Sequence, residues 1–116
     1  MGTDKETLVN DLKALIDPFI RKRDWERFHR PKDVAMALSI EAAELQELYL
    51  WDRTPDREAL RDEMADVLFF LLDLSLREEI DLSTALREKM VKNEERYPAA
   101  LVKGKDLKYD QYSSKA

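Results

Sequence analysis

The sequence predicts an all-α fold, and three observations lead to that prediction. The chain has only two glycines and four prolines in 116 residues. Most of it consists of long stretches rich in Leu, Ala, Glu, Lys and Arg, which are strong helix formers. Three of the prolines fall between these stretches, where they act as punctuation: Pro31, Pro55 and Pro98. We therefore expect a bundle of four helices.

The first helix is expected to begin with a capping box formed by Thr3 and Glu6 and to reach about Asp24. Apolar residues follow this cap at helical spacing: Leu8, Leu12, Leu15, Ile16 and Phe19. Pro18 lies inside the same stretch, where it removes a backbone hydrogen bond and crowds the preceding turn. We therefore expect a kink or break at residues 14–17.

The connection that follows, residues 21–32, is the most basic stretch, with six Lys or Arg against two acids. Trp25, Phe28 and His29 are interleaved with these cations. Two interpretations remain open: a solvated connection whose aromatic side chains cap the core, or a lip that stacks a base and offers cations to phosphates. A lone histidine is usually a structural donor, although His29 could also transfer protons.

The second helix is expected from Pro31 to about Trp51. The third should begin at a Thr54 cap with Pro55 in the first position and run to about Glu79. Its middle, residues 64–76, is apolar on more than one face, which predicts a subunit interface.

Asp73, within that apolar segment and seven residues after Asp66, could be another site acid, but its distance of two turns favours an interface or solvent role. A fourth helix should follow a cap at Asp81 and run from about Leu82 to Arg96. Lys89, Asn93 and Arg96 share one face of it, which is either an ordinary charged surface or a set of donors to phosphate oxygens.

Two pairs of acids lie within the predicted second and third helices: Glu41 with Glu44, and Glu63 with Asp66. Residues three apart share a helix face, so each pair projects two carboxylates from a surface that is otherwise largely apolar. Because isolated carboxylates are costly to remove from water, four converging acids imply a cation between them. An all-oxygen site suits Mg²⁺, with Mn²⁺ as a possible substitute. The alternative is a pair of ordinary solvated surfaces.

The whole chain is expected to form one domain, with a core over about residues 4–98 and a tail over 99–116. Its net charge of −5 gives no reason to expect nucleic-acid binding. Cysteine is absent, which excludes disulfides and a thiol nucleophile and is compatible with a reducing cytoplasm. The start of the chain lacks the pattern of a signal peptide, and its longest apolar run is far below the ~20 residues that span a bilayer. We expect a soluble, cytoplasmic protein that does not bind membranes.

Three segments carry a resemblance to a known family: RDWERFHRPKDVAMALSIEAAELQELYLW, EMADVLFFLL and KMVKNEERYP. Together they resemble the MazG-like all-α nucleoside triphosphate pyrophosphohydrolases, within them the dCTP pyrophosphatase branch. The resemblance implies a helical bundle that assembles as a homodimer or homotetramer. It also implies Mg²⁺-dependent cleavage of a nucleoside triphosphate, such as dCTP or a modified pyrimidine nucleotide, to the monophosphate and pyrophosphate.

The resemblance further implies roles for particular residues. The family's metal motif, which also carries catalysis, maps onto Glu41, Glu44, Glu63 and Asp66. Substrate-binding positions map onto Trp25, His29, Trp51 and Phe70 for the nucleoside, and onto Lys89 and Asn93 for the phosphates. Phe70 occupies a place where some dCTP-preferring relatives have tyrosine, and Ile40-Glu41 replaces the paired glutamates that open the motif in many MazG proteins.

Rival functions come from other classes. A ferritin-like di-iron bundle needs Glu-x-x-His pairs, and His29 lies in neither acid motif. A non-catalytic oligomeric helical module, for interaction or nucleotide sensing, would explain the apolar third helix but not acids on apolar faces. We therefore expect an enzyme, a hydrolase of phosphoanhydrides.

Overall fold

A computed structural model of the chain describes residues 2–104, and these contain five α-helices and no β-strand. The helices are α1 (Val9–Lys22), α2 (Pro31–Glu47), α3 (Arg57–Arg77), α4 (Leu82–Arg96) and α5 (Ala99–Val102). Short 3-10 helices cover Glu26–Phe28 and Leu50–Asp52. The all-α prediction is confirmed, and its four helices correspond to α1–α4. Helix α5 falls in the predicted tail, of which residues 105–116 lie outside the described residues.

Helix α1 begins later than predicted. The Thr3 carbonyl accepts hydrogen bonds from the backbone N–H groups of Glu6 and Thr7, at 2.9 and 3.0 Å, and so closes a turn ahead of the helix. The first helical turn is stabilised instead by Asp11, whose carboxylate accepts the Leu8 N–H at 2.9 Å. The predicted capping box at Thr3 and Glu6 is therefore wrong, because a local turn satisfies those backbone groups.

Pro18 lies within α1, which is continuous through residues 14–17. The predicted break does not occur. A proline removes one backbone hydrogen bond, but α1 packs against α3 and buries Ile20 completely just beyond the proline. Tertiary packing supplies most of the stability of helices in proteins, and here it outweighs the local cost.

Helix α2 ends at Glu47, earlier than the predicted Trp51. Trp51 and Asp52 have φ values of 62° and 57°, in the left-handed region where an α-helix cannot continue. The predicted cap of α3 at Thr54 is also wrong, since the Asp56 carboxylate accepts the Ala59 N–H at 3.0 Å. Asp56 precedes that N–H by three residues, the spacing that an N-cap requires.

Helix α4 agrees with the sequence. The Asp81 carboxylate accepts hydrogen bonds from the Thr84 N–H and hydroxyl, at 3.0 and 2.7 Å, which confirms the predicted cap. The helix covers Leu82–Arg96, as predicted. None of the described helices combines the length and hydropathy needed to cross a membrane.

The chain forms two compact units that divide after Ile80. The first contains α1, α2 and α3, and in it α3 packs against both of the others. Its buried apolar side chains among the described residues are Ile20, Val34 and Leu72. The second unit contains α4 and α5. The first unit holds both acid pairs, so it positions the candidate site; the expectation of a single domain stays a prediction.

Candidate active site

Three carboxylates from two helices meet in the first unit. Glu41 and Glu44 come from α2, and Glu63 comes from the facing helix α3. One oxygen from each lies within 4.8 Å of one from each of the others, so a single ion could contact all three. We call these residues the acidic cluster. Three-residue spacing on α2 and the packing of α2 on α3 are sufficient to bring them together.

The acidic cluster is deficient in positive partners. The Oε2 atoms of Glu41 and Glu63 are buried, and neither accepts a hydrogen bond from a described residue. The pKa of Glu41 is raised from its usual 4.5 to about 7, chiefly by burial, then by the neighbouring carboxyl groups of Glu44 and Glu63 and by the charge of Asp66. Unpaired buried carboxylate oxygens are costly, so this arrangement calls for a cation.

The donor set fits a divalent metal ion. All three groups offer carboxylate oxygen, the ligand that hard cations prefer, and the described chain brings no histidine or cysteine into the cluster. Glu44 is exposed, whereas Glu41 and Glu63 are partly buried, so the cluster opens to solvent on the Glu44 side. An ion held by the three carboxylates would therefore be accessible to solvent on that side.

Asp66 is the fourth acid that the sequence predicted as a ligand. It is exposed on α3 and affects the pKa of Glu41 through its charge, but it lies outside the three-carboxylate group. Three of the four predicted ligands are thus brought together, and the fourth lies nearby. Their role as ligands stays a prediction.

Aromatic side chains form a second cluster in the same unit. Five rings contact one another in a closed circuit: Phe19, Trp25, His29, Phe70 and Phe69. The Trp25 and His29 rings are nearly parallel, at 16° with centroids 6.3 Å apart, and the Phe70 ring lies 6.3 Å from that of His29. We call these five residues the aromatic cluster.

The aromatic cluster adjoins the acids along α3. Phe70 lies one helical turn beyond Asp66, on the face that also carries Glu63. Three predicted nucleoside-binding residues therefore come together: Trp25, His29 and Phe70. Sequence reasoning missed Phe19 and Phe69, whose rings complete the circuit.

Trp51 is not part of this cluster. Its side chain is 84% exposed, and within the described residues no ring contact joins it to another aromatic residue. It occupies the left-handed region at φ 62°, a conformation that costs a non-glycine residue about 1 kcal/mol or more. Trp51 is thus an exposed aromatic side chain on a strained loop, and its predicted role in binding the nucleoside stays a prediction.

An ionic network lies behind the aromatic cluster. The Asp73 side chain is fully buried, and its carboxylate lies 2.5 Å from His29 Nδ1 and 2.8 Å from Arg77 Nε. Arg77 also donates to Asp17 at 3.0 Å. The interface or solvent role predicted for Asp73 is wrong, because Arg77 supplies the opposite charge that its burial requires.

A sequence signal for this network existed. Five residues of α3 follow one another at alternating three- and four-residue spacing and so share one face: Glu63, Asp66, Phe70, Asp73 and Arg77. The acid pair is the start of this polar stripe. Following the stripe beyond Phe70 would have shown that Asp73 and Arg77 lie on the same face of α3 and can pair.

The basic stretch at residues 21–32 is largely engaged locally. Arg21 pairs with Asp17, Arg27 with Asp24 and Arg30 with Asp33. The Arg23 guanidinium lies 3.8 Å from the centre of the Phe19 ring, a cation–π contact. These contacts favour the first interpretation, a solvated connection whose aromatic side chains cap the core, over a lip that offers free cations to phosphates.

Lys89 and Asn93 belong to the second unit. They lie four residues apart on α4 and so share a face. Lys89 is exposed, and the Asn93 amide lies 3.7 Å from the Met90 sulfur. Their predicted phosphate-binding role stays a prediction.

Comparisons with known proteins identify the family to which the chain belongs. The model of the MazG-like family matches residues 36–111. The chain is 39% identical to dCTP pyrophosphatase 1 of Rattus norvegicus over 114 residues, covering 90% of this chain and 67% of that protein. It is 38% identical over 116 residues to dCTP pyrophosphatase 1 of Homo sapiens, covering 91% of this chain and 68% of that protein.

A solved structure is also similar. The crystal structure of a pyrophosphatase from Archaeoglobus fulgidus aligns with a TM-score of 0.70 and 38% identity, over 77% of this chain and 91% of that one. The segment that the family model matches, residues 36–111, contains all three residues of the acidic cluster. The resemblance to the MazG-like family that the sequence predicted is confirmed. The chain belongs to the MazG-like family.

Proposed function

We propose that this chain hydrolyses nucleoside triphosphates at the α–β phosphoanhydride, with Mg²⁺, and that dCTP or a related pyrimidine nucleotide is its substrate. The activity and substrate follow from what the relatives are named for, dCTP pyrophosphatase and pyrophosphatase. The observation that carries the proposal is the acidic cluster, where two buried carboxylate oxygens accept no hydrogen bond from any residue of the described chain. The enzyme is a hydrolase of acid anhydrides.

Each member of the acidic cluster has a role in this proposal. Glu41 and Glu63 present their unpaired oxygens to the cation, and Asp66 adds negative charge beside them. When bound, a divalent cation offsets charge on the phosphate oxygens and polarises a water molecule. Glu44, on the exposed side, orients a water molecule toward the α-phosphorus and accepts its proton. Glu47, three residues further along α2 and also exposed, is the alternative for this role.

The cleavage is an in-line displacement at the α-phosphorus. A water oxygen bonds to that phosphorus, the bond to the bridging oxygen breaks, and pyrophosphate departs with the electron pair. The described residues need supply no covalent nucleophile, which fits a chain without cysteine. Mg²⁺ is the proposed ion because it binds few carboxylates and keeps other positions for water and phosphates, and Mn²⁺ is a substitute.

The nucleoside is proposed to bind at the aromatic cluster, against Trp25, His29 and Phe70, with Trp51 closing over it. Aromatic side chains stack on any of the nucleotide bases, and each stacked base contributes about 1–3 kcal/mol to binding. The short spacing along α3 between Asp66 and Phe70 suits a substrate whose base and α-phosphate are joined by one sugar. Lys89 and Asn93 are proposed to bind the departing phosphates.

A homodimer or homotetramer is proposed as the working form. The first unit has few fully buried apolar residues, while an open apolar groove of about 220 Å³ runs between α1 and α3. It is lined by Leu12, Leu15, Ile16, Ala65, Leu68, Phe69 and Leu72. Exposed apolar surface of this kind is usually covered by a partner, and a second copy would add the core that the unit lacks.

The proposal is tested by pyrophosphate release from a panel of deoxy- and ribonucleoside triphosphates that includes 5-methyl-dCTP, with Mg²⁺ and with EDTA. We expect release with Mg²⁺ alone and the highest kcat/KM for a cytosine nucleotide. A folded protein that binds Mg²⁺ but cleaves no triphosphate would contradict the proposal. It would favour the alternative of a non-catalytic helical module that senses nucleotides.

A further inference from the structure

The buried carboxylate of Asp73 is held from two sides. Its Oδ1 accepts a hydrogen bond from Arg77 Nε at 2.8 Å, and its Oδ2 lies 2.5 Å from His29 Nδ1. No part of the Asp73 side chain reaches solvent, and the Arg77 guanidinium provides the opposite charge that a buried carboxylate requires. The carboxylate is thereby fixed in one orientation, with one oxygen for each partner.

Arg77 is itself fixed by a second acid. Its Nη2 donates to Asp17 Oδ1 at 3.0 Å, which ties α3 to α1. Burial lowers the pKa of Arg77, but Asp73 and Asp17 more than reverse this effect and hold the pKa above its usual range. The guanidinium therefore remains charged and anchors Asp73 from behind.

This arrangement determines the state of the His29 ring. A neutral imidazole has one nitrogen that donates and one that accepts, and an ionised carboxylate can only accept. Nδ1 must therefore carry the proton that is shared with Asp73. In the neutral ring the other nitrogen, Nε2, is then a hydrogen-bond acceptor, and 13% of the His29 side chain is exposed.

The partly exposed His29 ring adjoins two aromatic rings that could hold a base. Trp25 lies nearly parallel to the imidazole, and Phe70 lies on another side at 6.3 Å. A base in contact with these rings would meet an acceptor at Nε2. Cytosine offers an exocyclic amino group to such an acceptor, whereas uracil and thymine offer a carbonyl oxygen at the same position.

We infer that Asp73 is a positioning residue for base selection, which holds His29 as the Nδ1–H tautomer so that Nε2 accepts a hydrogen bond from the amino group of cytosine. The inference rests on the proposed function, since it needs a nucleotide at the aromatic cluster. Selectivity arises because a carbonyl facing Nε2 brings two acceptors together and leaves both unpaired.

The tautomer can be observed directly, because the chain has a single histidine. Long-range ¹H–¹⁵N spectra of the neutral ring should show the proton on Nδ1 in the wild-type protein. In Asp73→Asn, the amide can donate to Nδ1, and the proton should move to Nε2. A wild-type ring protonated at Nε2 would overturn the inference, and this measurement requires no variant to fold.

Kinetics separate base selection from structural support. Asp73→Asn should lower the ratio of kcat/KM for dCTP to that for dUTP by about tenfold or more. The matched control is Asp17→Asn, which removes the other acid bound to Arg77 but does not touch His29, and it should keep the wild-type ratio. An unchanged ratio in a folded Asp73→Asn protein would refute the inference.

Uncleavable substrate analogues distinguish this inference from the proposed activity. The α,β-imido analogues of dCTP and dUTP are titrated with Mg²⁺ into wild-type protein while the histidine signals are followed. We expect the dCTP analogue to shift the Nε2 signal far more than the dUTP analogue. That result without pyrophosphate release from dCTP would end the proposed hydrolysis but uphold base selection, and equal shifts alongside normal hydrolysis would do the reverse.

Discussion

Replacing Glu63 with glutamine should make the protein more stable and nearly inactive at once. Glu63→Gln keeps the size of the side chain and removes one negative charge from the acidic cluster. Its new amide N–H groups can also donate to the buried Glu41 Oε2, which has no donor among the described residues. Both changes favour the folded protein when no cation is bound, and both impair the site as a cation ligand.

The size of the stabilisation follows from the geometry. Two carboxylates no more than 4.8 Å apart repel by about 1 kcal/mol in water and by about 3.5 kcal/mol at an effective dielectric constant near 20. Because Glu44 is exposed and solvent screens its charge, we expect a net gain of about 1–2 kcal/mol in the free energy of unfolding. For a chain of this size that gain raises Tm by about 3–8 °C.

The assay pairs two measurements on one variant. Thermal unfolding in EDTA, at a pH above the Glu41 pKa of about 7 so that its carboxyl is ionised, should show the increase in Tm. Pyrophosphate release with Mg²⁺ should fall by at least about 100-fold. Asp62→Asn is the matched control, since it makes the same charge change at the adjacent, exposed position of α3. A Glu63→Gln protein that is less stable than wild type in EDTA, or that keeps its turnover, would refute the reasoning.

The other predictions concern base binding, protonation and assembly. Trp51→Ala should raise KM for dCTP by about 5- to 100-fold, since stacking of a base on an aromatic ring is worth about 1–3 kcal/mol. It should leave Tm nearly unchanged, because Trp51 is 84% exposed. A large fall in Tm with an unaltered KM would contradict this prediction. Burial, with the nearby acids, raises the pKa of Glu41 from 4.5 to about 7, so the folded state holds this proton more tightly than the unfolded chain does. Stability of the cation-free protein in EDTA should therefore fall as the pH rises between those values, and a rise would contradict the assignment. Leu68→Glu places a charge in the apolar groove and should shift sedimentation toward a monomer, whereas an unchanged mass would place the interface elsewhere.

The acidic cluster was predictable because one helical rule and one energetic rule both apply to it. Residues three apart on α2 share a face, and acids on an otherwise apolar face need a counter-charge. Neither rule requires long-range information, so Glu41, Glu44 and Glu63 were identified from the sequence. Asp66 fits the same spacing, but spacing alone does not give the distance between side-chain oxygens across two helices.

The ionic network could not be predicted in the same way. His29 and Asp73 are 44 positions apart, and nothing in the connection between α1 and α2 indicates which face of α3 it will meet. A buried aspartate is stable only when a counter-charge pairs with it. In the sequence, Arg77 is recognised as that partner only when the polar stripe of α3 is followed beyond Phe70. The partial sequence pattern thus led to the wrong role for Asp73.

Helix ends were predicted where a single cap was available and missed where two competed. Asp81 is the single candidate cap that the sequence offers before α4, and it caps that helix. Thr54 and Asp56 both precede α3, and Asp56 is the one that accepts a backbone N–H there. The left-handed conformation of Trp51, which ends the extension of α2, has no sequence signal because neither it nor Asp52 is a glycine.

The most direct test of the account is the fate of the water oxygen. Hydrolysis of dCTP with Mg²⁺ in H₂¹⁸O, followed by mass spectrometry of both products, reports which phosphorus is attacked. Attack at the α-phosphorus, as proposed for the acidic cluster, predicts ¹⁸O in dCMP and none in pyrophosphate. Label in pyrophosphate, or release of dCDP and inorganic phosphate, would contradict it.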